Sequence, residues 1–289
     1  MAWSICIFAH NEERLLPQCL SALTDAAVGG EYQVHVMENG STDNTVKAAK
    51  AFTSVDDRIH LHELAIGDKS NAWNEYVHHT ADIDADMHIF IDGDVQPSKG
   101  AFKALAMAFE RNPEAYGAAA LPADGRSRKA WTARLMKEHY ISGNLYALSG
   151  EALRKIREQD FRFPIGAVGE DGLLTYTLLT DLKGFEDDQH RNRIAIAAGA
   201  FFEFQSLTLR PDDLVLYWGR LKRYSQRYIQ NQIMYPLVKR EGIGMLPDTI
   251  DTLLIESELD KVMPRRKPLD FLVDCYMLKK LSEAARRKR

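Results

Sequence analysis

The chain has 289 residues, of which 45% are hydrophobic and 27% are charged. This length and composition are typical of a soluble globular protein with a substantial core, which excludes a disordered chain, a collagen-like repeat and a disulfide-bonded miniprotein. The formal net charge of −4 provides no overall basic field, so we expect no nucleic-acid partner. Only the segment 261–289 is strongly basic, with ten lysines or arginines against three acidic residues.

Short apolar runs alternate with segments of helical periodicity over the first 120 residues. Strands are predicted at 4–9, 33–37, 59–64 and 87–91, and a helical pattern follows each of them. Such alternation is typical of βαβ units and a mostly parallel sheet flanked by helices. Further strands are predicted at 115–121, 140–148 and 194–204, and helices at 151–158, 170–180 and 211–232. After Pro236 we expect a C-terminal extension of short helices broken by glycine and proline.

The sequence contains no predicted membrane span. No apolar run approaches the roughly 18 residues that cross a bilayer. The first residues lack the basic segment of a secretory signal, and the three cysteines show neither metal nor disulfide spacing. We therefore expect a cytoplasmic protein, with peripheral contact to the inner face of a membrane left open.

Polar residues follow each of the four predicted N-terminal strands. In chain order these strand ends read His10-Asn11-Glu12, Glu38-Asn39-Gly40, Gly67-Asp68-Lys69 and Asp92-Gly93-Asp94. Ligands of open α/β sheets bind beyond the carboxyl ends of the strands. We therefore expect the four groups to share one pocket for a polar ligand.

The acidic pair Asp92 and Asp94 follows a wholly apolar strand, so both carboxylates are expected to point into this pocket. Hard divalent cations prefer such oxygen ligands and bind phosphate on their opposite side. The same Asp-x-Asp pattern also occurs twice within 82–86, before the strand, so the position of the pair rather than its pattern favours a metal site. The alternative is an ordinary Asp-Gly turn.

Six segments of the chain, taken in order, resemble the successive motifs of family 2 glycosyltransferases with the GT-A fold. They read SICIFAHNEERLLPQCLSAL, VHVMENGSTDNT, GDKSNAWNEYV, IFIDGDVQP, SGNLYALSGEALRKI and GEDGLL. The resemblance extends over about residues 3–230. It implies a Rossmann-like GT-A domain at 1–235, with a nucleotide-sugar-binding half at 1–120 and an acceptor-binding half at 121–235. The basic extension at 236–289 would follow this domain.

The resemblance also implies a role for individual residues. Asp171 would be the general base of an inverting transferase, and Asp92 and Asp94 would hold Mn²⁺ or Mg²⁺. The residues implied to bind the nucleotide-sugar are His10, Asn11, Glu12, Glu38, Asn39, Lys69, Asn71, Asp92, Gly93, Asp94, Glu170 and Arg223. The implied donor is a UDP-sugar, and the transferred group a hexose or N-acetylhexosamine. The implied acceptor is a hydroxyl compound of glycolipid, polysaccharide or other glycoconjugate synthesis, with a lipid-linked acceptor as one option.

Two motifs depart from the family pattern. Glu38-Asn39-Gly40 stands where many members have Asp-Asp-Gly, which bears on the preference for the base. The segment 220–224 reads RLKRY where processive members have Gln-x-x-Arg-Trp. This change, together with the absence of predicted membrane spans, favours the transfer of a single sugar over polymer synthesis.

Other interpretations stay open at this point. Asp171 follows Gly169 in the first turn of a predicted helix, where the helix N-terminus would keep it ionised and where it could serve only as a cap. Arg223 could belong to a solvated helix face. The segment 269–289 could lie on an anionic membrane or dock on the protein as a helix. The alternative functions are a sugar-phosphate nucleotidyltransferase and a non-catalytic relative that binds nucleotide-sugar.

Overall fold

The structure is a computed structural model that describes residues 2–185, 189–205, 211–257 and 259–288. Its strands are β1 (Ala2–Ala9), β2 (Glu31–Asn39), β3 (Ile59–Leu64), β4 (Met87–Asp92), β5 (Val95–Pro97), β6 (Gly117–Pro122), β7 (Leu145–Ser149) and β8 (Ile194–Phe204). Its α-helices are α1 (Leu16–Ala26), α2 (Thr45–Thr53), α3 (Lys69–Glu75), α4 (Ala101–Arg111), α5 (Arg128–Glu138), α6 (Gly150–Glu158), α7 (Glu170–Leu179), α8 (Pro211–Glu241), α9 (Ile250–Glu256) and α10 (Pro268–Lys288). A π-helical turn, Tyr76–Thr80, continues α3.

The strands form one mixed sheet in the order β3-β2-β1-β4-β7-β6-β8-β5. The first four strands of the chain are parallel, with β1 between β2 and β4. Strand β7 lies antiparallel between β4 and β6, whereas β8 runs parallel to β6 and antiparallel to β5. The predicted α/β class, with its sheet flanked by helices and its helical C-terminal part, is confirmed.

Apolar cores cover both faces of this sheet. Alternate residues of β1 point in opposite directions: Ile5 and Ile7 pack in the core beneath α1 and α4, and Cys6 and Phe8 pack in the core beneath α3. A strand that is buried on both faces reads as a continuous apolar run, which is why β1 and β4 are visible in the sequence. Along β1 and β4, the residues that are not fully buried therefore lie at the ends of the strands.

Helix α8 differs from the prediction, because it continues through Pro236 instead of ending before it. A proline removes one backbone hydrogen bond from a helix. Here Met234 and Val238, on either side of the proline, are buried in the core, and this packing holds the helix together. The helix therefore spans the predicted boundary at residue 235, and the division into a 1–235 domain and a 236–289 extension stays a prediction.

Helix α10 docks on the rest of the protein through one of its faces. Val273 and Met277 pack with Ile229 of α8 in a small apolar cluster of their own. The buried carboxylate of Asp274 accepts hydrogen bonds from the Arg265 guanidinium at 2.7 and 2.9 Å. Within the described ranges, no helix has both the length and the apolar character that crossing a membrane requires.

Candidate functional site

Lys69, the first residue of α3, joins three parts of the chain at the carboxyl edge of the parallel strands. Its Nζ lies 2.5 Å from Asp92 Oδ1, at the end of β4, and 2.8 Å from Glu170 Oε1, at the start of α7. The same Nζ donates to the Gly143 carbonyl at 3.3 Å. We call this group of three charged side chains the Lys69 network.

The charged groups of the Lys69 network shift one another's pKa values. Burial alone would lower the pKa of Lys69, but the two carboxylates of Asp92 and Glu170 outweigh it and hold that pKa well above its usual value. Burial acts in the opposite direction on Glu170, where the Lys69 ammonium prevails and the pKa of the carboxyl is lowered. The network is therefore charged at neutral pH, with one cation between two anions.

Asp171 is in a different electrostatic environment from its neighbour Glu170. Its Oδ1 accepts a hydrogen bond from the Gly172 backbone N–H at 2.9 Å and lies 3.4 Å from Arg227 Nη1. Burial first, and then the adjacent Glu170 carboxylate, raise the pKa of Asp171, although Arg227 opposes them. The expectation that the helix N-terminus would decide the protonation is thus incomplete, because burial and a like charge outweigh it. A carboxylate with a raised pKa is a stronger base than an exposed aspartate.

Gly169 allows Arg227 to reach this position. Gly169 precedes α7 with a φ of +88°, a conformation that favours glycine. A Cβ atom on this residue would lie 2.1 Å from Arg227 Cδ, so any side chain would collide with the arginine. On α8, Gln230 holds the same loop, since its Oε1 accepts from Val168 N at 2.8 Å and its Nε2 donates to the Gly166 carbonyl at 3.0 Å.

Acidic side chains gather beside the network. Burial, followed by the charges of Asp94 and Asp92, raises the pKa of Glu12 to about 7. The pKa of Asp92 is raised to about 6, mainly by burial and against the effect of Lys69. Gly93 allows the turn to approach β1 closely, because a Cβ on it would lie 2.9 Å from the Phe8 carbonyl oxygen.

These carboxylates have the chemistry that a hard divalent cation needs. Among the described residues, no three histidine, cysteine, aspartate or glutamate side chains are already grouped around one point where a metal would sit. Magnesium sites that handle nucleotides commonly take one or two carboxylates from the protein and the rest of their oxygens from phosphate and water. Asp92 and Asp94 fit that pattern.

Hydrogen bonds join the loops that follow β1 and β2 at the carboxyl edge of the parallel strands. His10 Nδ1 lies 2.7 Å from the Asn39 carbonyl oxygen, and Asn11 N donates to Ser41 Oγ at 2.9 Å. Glu38 Oε1 accepts from Ser41 N at 2.5 Å. In contrast, Asn39 Oδ1 is buried and has no hydrogen-bond partner in the described part of the chain. Such an unpaired acceptor is costly unless a ligand donates to it.

The structure places two further predicted residues, Asn71 and Arg223, on helices. Asn71 lies in the first turn of α3, and its backbone N–H donates to the helix-capping Asp68 Oδ1 at 2.8 Å. Arg223 is exposed on α8 and lines a groove between α8 and α10. Arg227, one turn later, is the arginine that contacts Asp171, so the diphosphate-binding role implied for Arg223 stays a prediction.

Comparison with known proteins agrees with this architecture. The sequence matches the family described as glycosyl transferase family 2 over residues 4–167. A search of curated proteins found no match. Solved structures similar to the whole chain include TarS 1-349 from S. aureus in complex with UDP-GlcNAc, with 13% sequence identity and a TM-score of 0.54, covering 100% of this chain and 93% of that one.

Two further structures have the same fold. The mannosyltransferase PcManGT from Pyrobaculum calidifontis, in complex with GDP-Man and Mn²⁺, is 16% identical with a TM-score of 0.53, over 99% of this chain and 86% of that one. Glucosyl-3-phosphoglycerate synthase from Mycobacterium tuberculosis, in complex with Mn²⁺, UDP and glucosyl-3-phosphoglycerate, is 22% identical with a TM-score of 0.53, over 84% and 80%. At these identities the likeness shows the GT-A fold alone. The family match covers more than half of the sequence, and the chain therefore belongs to glycosyl transferase family 2.

Proposed function

We propose that the protein transfers a single sugar from a nucleotide-sugar, with UDP favoured, to a hydroxyl acceptor, with inversion at the anomeric carbon and with the help of Mn²⁺ or Mg²⁺. The Lys69 network is the observation that carries the proposal. It joins the carboxylate at the end of β4, which suits a metal and a diphosphate, to the Glu170-Asp171 pair at the start of α7, which suits acid–base chemistry.

On the donor side, Asp94 and Asp92 would hold the divalent cation. When bound, the metal would neutralise the negative charge that builds on the departing diphosphate. The buried, unpaired Asn39 Oδ1 supports a base nearby, because uracil offers an N–H donor to such an acceptor. The UDP seen with two of the similar structures is in line with this preference, whereas the GDP-Man of the third shows that the fold also holds another nucleotide. The other donor-binding residues proposed are His10, Asn11, Glu12, Glu38, Lys69, Asn71, Gly93, Glu170 and Arg223.

On the acceptor side, Asp171 would take the proton. The acceptor hydroxyl oxygen forms a bond to the anomeric carbon while its proton passes to Asp171 Oδ. The bond between that carbon and the diphosphate oxygen breaks, and its electron pair leaves with the diphosphate. The raised pKa of Asp171 suits this task, and Arg227 at 3.4 Å limits the rise. One base on the far face of the sugar implies a single displacement and therefore inversion.

The sugar and the acceptor are proposed only by class. The transferred group is a hexose or N-acetylhexosamine, and the acceptor belongs to glycolipid, polysaccharide or other glycoconjugate synthesis. A lipid-linked acceptor, a cytoplasmic location and peripheral contact with the inner membrane face are part of the same proposal.

A thermal-shift screen tests the donor side. We expect UDP-glucose or UDP-GlcNAc to raise the melting temperature in the presence of Mn²⁺ and not in its absence. Asp94→Asn should lose this stabilisation. Asp84→Asn should keep it, because Asp84 is an exposed member of the Asp-x-Asp pattern that precedes β4. Equal stabilisation of both variants would show that Asp94 does not hold the metal.

The same preparation separates the alternative functions. Release of UDP from the stabilising donor supports a transferase, with water as the acceptor. Donor binding without any release of UDP would indicate a non-catalytic relative. Release of pyrophosphate from UTP and a sugar phosphate would indicate a nucleotidyltransferase.

A further inference from the structure

Two tyrosine hydroxyl groups converge on the start of α7, next to Asp171. Tyr140 follows α5, and Tyr235 lies on α8. A Cβ atom on Gly172, the residue after Asp171, would lie 3.1 Å from the Tyr140 hydroxyl oxygen and 3.3 Å from that of Tyr235. Two segments that are far apart in the sequence thus place a hydroxyl group at the same point. That point adjoins the carboxylate that we propose takes the acceptor proton.

These two hydroxyl groups differ from those of other tyrosines in the same core. Tyrosine hydroxyls usually have a hydrogen-bond partner when they are buried. The Tyr76 hydroxyl donates to a serine at 2.7 Å, and that of Tyr176, whose ring packs against Tyr235, donates to the Gly184 carbonyl at 2.9 Å. Tyr140 and Tyr235 are half-buried, and among the residues that the structure describes their hydroxyl oxygens have no partner. Neither oxygen is closed off from solvent, so a ligand can reach both.

The surrounding charges favour a neutral ligand at this point. Burial, followed by the Asp171 carboxylate, raises the pKa of Tyr140 above its usual range and the pKa of Tyr235 to about 12. Both side chains are therefore uncharged phenols at neutral pH, and each can donate one hydrogen bond and accept another. The two arginines whose charges act on Tyr140 are Arg134 and Arg227, and each of them pairs with a carboxylate. This arrangement suits hydroxyl groups better than a phosphate.

We propose that Tyr140 and Tyr235 bind the hydroxyl groups that neighbour the reacting hydroxyl of a carbohydrate acceptor. A sugar ring carries hydroxyl groups on adjacent carbons, so one of them can meet Asp171 while its neighbours meet the two tyrosines. A simple alcohol or a lipid phosphate has no such neighbouring groups and would leave both phenols without a partner, which a site built for hydrogen bonding disfavours. The proposal rests on the proposed function and narrows its acceptor to a sugar residue, either free or at the end of a glycoconjugate.

Initial rates of UDP release test the proposal, with the full chain, Mn²⁺ and the UDP-sugar that raises its melting temperature. The acceptors are the methyl glycosides of glucose, galactose, mannose and N-acetylglucosamine, with 1-butanol and farnesyl phosphate for comparison. We expect at least one glycoside to raise the rate about tenfold or more above that in water alone, and 1-butanol and farnesyl phosphate to leave it unchanged. Tyr140→Phe and Tyr235→Phe should each raise the KM for that glycoside about tenfold with little change in kcat, because each variant loses one hydrogen bond to the bound acceptor.

Tyr176→Phe is the matched control, because the Tyr176 hydroxyl belongs to the same group of rings but donates to the Gly184 carbonyl. It should lower the melting temperature and leave the KM for the glycoside unchanged. The Mn²⁺-dependent thermal shift with the UDP-sugar should be the same in all three variants, because none of these hydroxyls is proposed to contact the donor.

The outcomes separate this proposal from the proposed function. An unchanged KM in either Tyr140→Phe or Tyr235→Phe would overturn the proposal. So would acceleration of UDP release by farnesyl phosphate or 1-butanol and by no glycoside, although the protein would still be a transferase. If no UDP were released from any donor, the proposed function would fail and this proposal with it.

Discussion

The change Asp171→Asn separates a catalytic role of this residue from a structural one. Asparagine has nearly the same shape, and its Oδ1 can accept the Gly172 N–H that Asp171 accepts at 2.9 Å. It cannot take a proton from a hydroxyl group. The substitution therefore removes basicity and leaves the start of α7 otherwise intact.

A structural role and a catalytic role of Asp171 predict losses of different kinds, one of stability and one of rate. The ion pair with Arg227 is long, at 3.4 Å, and the arginine side chain is 34% exposed, so water screens it. Its removal should cost no more than about 1 kcal/mol of unfolding free energy, which is the upper end for exposed pairs. Relief of the repulsion from Glu170 offsets part of that cost. For a chain of this size, about 1 kcal/mol corresponds to a change of roughly 2–4 °C in melting temperature. Loss of a general base slows transfer by about 10²–10⁴.

The assay compares melting temperature, Mn²⁺-dependent binding of UDP and release of UDP from the stabilising donor. Asp251→Asn is the matched control, because Asp251 is the second residue of α9 as Asp171 is of α7. We expect small changes in melting temperature for both variants, and loss of turnover for Asp171→Asn alone. Turnover within a few-fold of the unmodified chain would reduce Asp171 to a helix-start residue. A product with retained anomeric configuration would refute the single displacement.

Two other substitutions test how the site is held together. Lys69→Met leaves Asp92 and Glu170 without their cation and should cost about 2–3 kcal/mol of unfolding free energy, below the range for fully buried pairs because all three side chains are partly exposed. Lys69 lowers the pKa of Glu170 from its ordinary value of 4.5, so the stabilisation is present above that pH and is lost as pH falls below it. Chemical denaturation should therefore show a larger deficit at about pH 7 than at about pH 3, and an equal deficit would contradict the assignment. Gly93→Ala places a Cβ atom 2.9 Å from the Phe8 carbonyl oxygen. This substitution should lower the unfolding free energy by about 1–3 kcal/mol and weaken Mn²⁺-dependent UDP binding. Gly244→Ala is the control and should do neither, because open space surrounds Gly244.

The central strands are predictable because their burial on both faces leaves an unbroken apolar run. Strand β5 and helix α5 have no such pattern and were not predicted. Only three residues form β5, and their pairing partner β8 lies about a hundred residues later in the chain. Helix α5 buries Leu135 and little else, so its sequence shows no apolar stripe. Each of these elements depends on tertiary contacts that local periodicity cannot reveal.

The sequence likewise predicts one part of the candidate site and not the other. Topology alone predicts that Lys69 and Asp92 meet, because parallel strands end at one edge of the sheet. The sequence does not show whether Arg223 or Arg227 contacts Asp171, because the two arginines lie four residues apart on the same helix. The packing of α8 against the loop before α7 decides between them. Gly169 is the residue in the sequence that could have indicated this contact, because the Arg227 side chain occupies the space that a Cβ atom on Gly169 would need. The pKa of Asp171 is raised by burial, and its position in the first turn of α7 does not indicate that it is buried.

The balance of charge at the sheet edge explains why a divalent cation belongs to the proposed function. The carboxyl groups gathered there are those of Glu12, Asp92, Asp94, Glu170 and Asp171, and the cations that contact them are Lys69 and Arg227. Even with Glu12 half protonated near pH 7, the edge is negative, and a nucleoside diphosphate is itself an anion. Like charges repel one another, and the repulsion is stronger where burial excludes water. Among the described residues, Glu12 and Asp94 have no lysine or arginine partner, which is why we propose that the donor diphosphate binds beside these carboxylates together with a cation.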